Sequence, residues 1–189
     1  MTPSFPTLET LRAGGKRAMA QALALIETAA GAQALADLLD AACADPKAQV
    51  AGLTGPPGVG KSTLTNALVR GWRAKGETVG VIAVDPSSRR TGGALLGDRA
   101  RISTDPEDRG VFVRSMAARD RLGGLSDQTV AAVALMRAVY DRVLVESVGI
   151  GQSEADISFA ADTVVLCIQP GSGDSLQFMK AGVMELPDI

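Results

Sequence analysis

Gly55-Pro56-Pro57-Gly58-Val59-Gly60-Lys61-Ser62 follows the apolar run Val50-Ala51-Gly52-Leu53-Thr54, opens a helix-forming stretch, and fits the pattern G-x-x-x-x-G-K-[ST]. Strand before and helix after are the context that makes this pattern a phosphate-binding loop. Its glycines let successive backbone N–H groups turn inward on phosphate, and the helix N-terminus behind them adds partial positive charge. Lys61 is expected to reach the β- and γ-phosphates of a nucleoside triphosphate as an exposed ammonium, and the Ser62 hydroxyl to ligate Mg²⁺. Pro56 stands where the intermolecular-lysine ATPases carry an extra lysine, which argues against that group.

Downstream of the loop, short apolar runs alternate with helical stretches: VGVIAV (79–84), VFV (111–113), RVLVE (142–146) and TVVLCI (163–168). Runs apolar on both faces, separated by helices, predict an α/β fold of the P-loop NTPase type, with a mostly parallel sheet covered by helices. Arg70, Arg73 and Lys75 before Gly76 suit the end of the helix after the loop, and Ser126 suits the cap of the next long helix. Upstream, Met19, Leu23 and Ile26 share one helical face, and Leu35, Leu38, Leu39 and Ala42 another, with Gly31 between them. This predicts an N-terminal helical hairpin over residues 1–46, closed by Pro46, and a nucleotide-binding domain over 47–189. Trp72 reads as a packing residue of the helix that follows the loop.

Ligands of a parallel sheet bind beyond the carboxyl ends of its strands, so the residues just past each run carry the chemistry. Asp85 ends the second run and Glu146 the fourth; with Asp98 they are the carboxylates for direct or water-mediated contact with Mg²⁺, an ion that takes about six oxygens and only one or two protein carboxylates. The lesser alternative for Asp85 is an Asx turn opening Asp85-Pro86-Ser87-Ser88, whereas Asp98 reads equally as a solvated surface charge. Glu146-Ser147-Val148-Gly149 has the form acid-x-x-Gly, in which the Gly149 amide contacts a γ-phosphate and moves when it leaves; Gln152 either orients water or caps a helix. Arginines from Arg89 to Arg121 read mostly as solvated charges neutralised by Asp98, Asp105, Glu107, Asp108 and Asp120.

A formal charge of −2 and a pI near 5.2 give no general attraction to nucleic acid or an anionic membrane. Phosphate recognition must therefore be local. The absence of histidine removes the commonest general base and transition-metal ligand, and leaves catalysis to carboxylates, Lys61, arginines, amides or a cation. Cys43 and Cys167 lack metal-ligand spacing and read as buried thiols of a reducing compartment, without a nickel-binding set. No run is long enough to span a membrane, and a cytoplasmic location is the default.

Taken together, GLTGPPGVGKST (52–63), VIAVDPSSRRTGGALLGDRARI (81–102), LGGLS (122–126), VLVESVGIGQSEADI (143–157) and GSGDSLQFMKAGVMELPDI (171–189) resemble the MeaB/ArgK-type GTPases of the metallochaperone branch of P-loop proteins. The resemblance starts in the N-terminal helices, at LRAGGKRAMAQALALIE (11–27). It implies Mg²⁺-dependent binding and slow hydrolysis of GTP to GDP, coupled to protection or cofactor loading of an adenosylcobalamin-dependent mutase such as methylmalonyl-CoA mutase. Carried onto this sequence, it makes Gly55, Gly58, Val59, Gly60, Lys61, Ser62 and Thr63 nucleotide contacts together with Gly149; Lys61, Glu146 and Asp98 the catalytic set; and Ser62, Asp85, Asp98 and Glu146 the Mg²⁺ contacts. Family members continue into an Asn-Lys-x-Asp motif that recognises guanine and a C-terminal dimerisation region that makes a homodimer, so this sequence reads as stopping short of both. The loop at 171–180 is expected to couple nucleotide state to the mutase, with Asp174, Gln177 and Lys180 at helical spacing on one face. Two further readings stand beside this one: a small-molecule P-loop kinase with an arginine-rich lid, and a nucleotide-binding scaffold without turnover.

Overall fold

A computed structural model of the chain describes residues 5–28, 31–85, 102, 105, 107–117, 125–147, 153–170 and 187–189. These contain strands β1 (Gln49–Thr54), β2 (Val79–Asp85), β3 (Val111–Ala117), β4 (Arg142–Glu146) and β5 (Thr163–Leu166). The helices are α1 (Leu8–Ala13), α2 (Gly15–Thr28), α3 (Gln33–Ala44), α4 (Lys61–Ala74), α5 (Asp127–Val139) and α6 (Ser153–Ala160). The strands lie in the order β3-β2-β4-β1-β5, and all four neighbouring pairs are parallel. All five apolar runs thus form the expected parallel sheet.

Alternation along each strand divides the apolar side chains between two faces. Ile82, Val84, Val143 and Val145 join a core with α1, α2, α3, α5 and α6, whereas Val81, Ala83 and Leu144 face α4 through Val69, Leu64, Leu68 and Trp72. Helix α6 lies so close on β1 that a Cβ on Gly52 would stand 2.8 Å from Ile157 Cγ1. Ser126 caps α5 by accepting the Thr129 N–H at 3.1 Å, and Gly76, with φ of +80°, follows the end of α4 in the left-handed region. The residues 187–189 run alongside β5, where Leu166 N–H donates to Ile189 O and Asp188 N–H to Val164 O, both at 2.9 Å.

The N-terminal segment differs from a simple hairpin. A further short helix, α1, begins at Thr7, whose hydroxyl accepts the Thr10 N–H, and ends at Gly14. Helices α2 and α3 pack each on α5 and not chiefly on one another. Arg12 fastens α1 by donating to Ala138 O at 2.8 Å and pairing with Asp45 at 2.7 Å. Cys43 is exposed, against expectation, because Leu35, Leu38 and Ala42 take the inward face of α3 and the next residue turns outward. Cys167 is only half-buried, since β5 ends one residue before it.

Beneath the sheet, at the amino ends of β2 and β4, Asp141 accepts from Thr78 N–H at 2.7 Å and Thr78 Oγ1 at 2.6 Å and pairs with Lys47 at 2.8 Å. Asp108 pairs there with Arg73 of α4, and Arg114 of β3 pairs with Glu27 of α2. Among the described residues, these partners of Asp108 and Arg114 lie outside the arginine-rich stretch. No helix among the described residues is long and apolar enough to cross a membrane.

Candidate nucleotide-binding site

Strand β1 delivers the chain to Gly55 at the carboxyl edge of the sheet, with β4 and β5 on either side. Gly55, Gly58 and Gly60 have φ of +134°, +83° and +95°, a region costly for residues with a Cβ. The spacing of glycines in the sequence thus matches the positions where the backbone turns. Lys61 opens α4, but its side chain is only 7% exposed, not the free ammonium expected. Its Nζ donates to Gly55 O at 2.6 Å and Pro56 O at 2.8 Å, because those carbonyls point into the loop they enclose. Val59 is half-buried, whereas Gly58, Gly60 and Thr63 are exposed.

One residue further, Ser62 Oγ donates to Glu146 Oε1 at 2.8 Å, and Thr65 Oγ1 donates to Glu146 Oε2 at 3.0 Å. Glu146, the last residue of β4, is in register with Leu53 of β1 and Ala83 of β2, so Asp85 ends its strand two residues further along the same edge. Ser147 continues the chain and is tied to the root of the loop: its N–H donates to Leu53 O at 2.9 Å, and its Oγ lies 3.0 Å from Thr54 Oγ1. Cys167 closes the other side, donating its N–H to Thr54 O at 2.8 Å. Burial pushes the Cys167 thiol pKa up, opposed by the nearby Lys61 ammonium and reinforced by Glu146.

The structure therefore brings together Lys61, Ser62 and Glu146 of the expected set. The side chain of Asp85, and Asp98, Gly149, Gln152, Asp174, Gln177 and Lys180, lie outside the described residues. Thr65, Thr54 and Ser147 escaped the sequence reading. The available signal was a threonine three residues past Ser62, on the same side of the helix. Among the described residues, Ser62 and Glu146 offer hard oxygen, a hydroxyl beside a carboxylate, which suits Mg²⁺ better than a soft metal.

A glycine-built loop between a parallel strand and a helix N-terminus, with lysine, serine and an acid from the adjacent strand, defines a P-loop nucleotide-binding α/β protein. The chain belongs to the MeaB family: the model described as methylmalonyl Co-A mutase-associated GTPase MeaB matches residues 19–189. A relative from Pyrococcus horikoshii is 47% identical over 190 residues, which cover 100% of this chain and 60% of that protein. The GTPase ArgK of Escherichia coli is 39% identical over 189 residues, 97% of this chain and 56% of ArgK. The mitochondrial methylmalonic aciduria type A homolog of Mus musculus is 40% identical over 139 residues, 73% of this chain and 34% of that protein. The crystal structure of a LAO/AO transport system kinase is similar with a TM-score of 0.67 at 29% identity, over 96% of this chain and 53% of the kinase chain. The chain thus spans little more than half the length of most of these relatives.

Proposed function

We propose that this chain is the nucleotide-binding part of a Mg²⁺-dependent GTPase that acts as a chaperone for an adenosylcobalamin-dependent mutase. The observation that carries the reading is the convergence of Lys61, Ser62 and Glu146 on one loop and helix start. Backbone N–H groups of Gly58 to Ser62 would hold the phosphates, and Lys61 would leave the Gly55 and Pro56 carbonyls to meet the β- and γ-oxygens. Thr63 would contribute at the α-phosphate side, and the Gly149 amide would report the γ-phosphate. Ser62 would hold Mg²⁺, with Glu146, Asp85 and Asp98 as the proposed carboxylate contacts, and the ion would supply positive charge to the transferred phosphoryl group. Glu146 would keep the Ser62 O–H that it accepts here, since a lone pair of that oxygen remains for the cation, and would orient metal-bound water with its remaining acceptor capacity.

GTP and the mutase are supported by the family, methylmalonyl Co-A mutase-associated GTPases; a homodimer of the whole protein is proposed from the resemblance alone. Asp174, Gln177 and Lys180 are proposed to carry the nucleotide state to the mutase. Similarity to a LAO/AO transport system kinase keeps phosphoryl transfer to an acceptor as the competing reaction. Phosphate release from GTP, measured with and without Mg²⁺ and with candidate small-molecule acceptors, separates the two. Release that needs Mg²⁺ but no acceptor supports the GTPase, and stoichiometric phosphorylation of an acceptor refutes it. For the chaperone, mutase affinity should differ between GDP and a non-hydrolysable GTP analogue, and equal affinities would count against a switch.

A further inference from the structure

Thr65 is fully buried in α4, where packing alone would accept valine or alanine. A threonine inside a helix commonly turns its hydroxyl back to the carbonyl four residues earlier. Here it points away from its own helix and donates to Glu146 Oε2 at 3.0 Å, while Ser62, one turn earlier, donates to Oε1 at 2.8 Å. Both carboxylate oxygens are thereby fixed from the same helix, and the plane of the carboxylate is set by two donors and not one. A hydroxyl ligates a cation through an oxygen lone pair, so Ser62 can hold the cation while its O–H stays on Oε1. The Thr65 oxygen is buried behind the first turn and serves the carboxylate.

We propose that Thr65 is a positioning residue that holds Glu146 by Oε2 and so keeps Oε1 aimed at Ser62 and the cation site. This rests on the reading of the site as a Mg²⁺–nucleotide centre. A carboxylate anchored on one oxygen loses less freedom when it accepts a metal-bound water than one that swings freely. The effect of Thr65 should therefore appear in the Mg²⁺ dependence of nucleotide binding and not in the contact with the phosphates themselves.

The test is fluorescence titration of a labelled GDP in EDTA and at a series of free Mg²⁺ concentrations, for the unmutated chain, Thr65→Val and Thr65→Ser. Thr65→Val should keep the affinity in EDTA and raise the Mg²⁺ concentration for half-maximal tightening on the order of tenfold, the factor attached to one hydrogen bond to a charged group. Thr65→Ser should restore the midpoint, because it keeps the donor. Thr65→Ala makes the same comparison if valine does not fold at this position. A midpoint unchanged in the variant without a hydroxyl, or equal displacement in Thr65→Ser, overturns the assignment. No tightening by Mg²⁺ in the unmutated chain sinks the nucleotide-centre reading itself, and the inference with it.

Discussion

The carbonyl oxygen of Cys167 stands 2.1 Å from the position a Cβ on Gly55 would occupy, so the exit of β5 presses directly on the root of the phosphate-binding loop. Gly55 also has φ of +134°, which L side chains rarely adopt. Backbone strain and backbone contact thus act at one atom, and neither can be relieved by rotating a side chain. Gly55→Ala should lower stability by about 2–4 kcal/mol and remove nucleotide binding, since the loop must move to admit the methyl group. Urea unfolding with a parallel nucleotide titration checks this, and wild-type affinity in a folded Gly55→Ala protein would contradict the contact.

Lys61 is held by two carbonyls of its own loop, and its removal should therefore have two separable effects. Triphosphate affinity should fall at least about tenfold, because a charge-assisted contact is lost. Stability without nucleotide should also fall, by about 1 kcal/mol, because the Gly55 and Pro56 carbonyls lose an ionised donor. Thermal unfolding of Lys61→Ala with and without nucleotide measures both. An unchanged midpoint without nucleotide would mean that the buried ammonium contributes nothing to loop stability.

Asp141 gives the fold a defined acid sensitivity. Its pKa is lowered from 3.8 to about 2, first by Lys47, then by the Thr78 hydroxyl and backbone N–H. The folded state therefore holds the proton less tightly than the unfolded chain. The resulting stabilisation is full above about pH 4 and disappears as pH falls through about 2. Allowing for its partial exposure, it amounts to about 1–2 kcal/mol. Asp141→Asn should be less stable than the unmutated chain by that amount near neutrality, and the difference should shrink as the pH approaches the folded value. A difference that stays constant across denaturant curves from neutral to acid pH would assign the effect to hydrogen-bond geometry and not to charge.

The strands, the loop and the Ser126 cap were legible because each rests on residues close in sequence: an apolar run, a glycine spacing, a hydroxyl three residues before the N–H it accepts. The acid of the site was legible for a related reason, since Glu146 ends a run and parallel strands present their carboxyl ends together. What the sequence did not disclose are partners brought together only by strand order. Thr65 meets Glu146 because β4 lies next to β1, and Arg73 meets Asp108 because α4 returns toward the start of β2. Cys43 looked buried from its apolar surroundings, yet one residue of helical rotation separates it from Ala42 and the core. The buried position of Lys61 was hidden for the opposite reason: the motif specifies what the lysine meets when phosphate is bound and says nothing of the carbonyls that hold it here.

Glu146 tests whether the two hydroxyls and the carboxylate act as one unit. Glu146→Gln keeps the volume and one acceptor oxygen but replaces the other with an amide that donates, so one of the Ser62 and Thr65 bonds must reverse or break. The negative charge beside the cation site is lost as well. Affinity for nucleotide in EDTA should change little, because the loop amides and Lys61 are untouched, whereas Mg²⁺-dependent turnover should fall by about a hundredfold or more. Combining Glu146→Gln with Thr65→Val should add little beyond the glutamine alone, because Thr65 acts through the carboxylate that has already been replaced. Single-turnover phosphate release for both single variants and the pair gives the coupling directly. Independent, multiplicative losses would show that Thr65 and Glu146 serve the site by separate routes, despite the 3.0 Å between them.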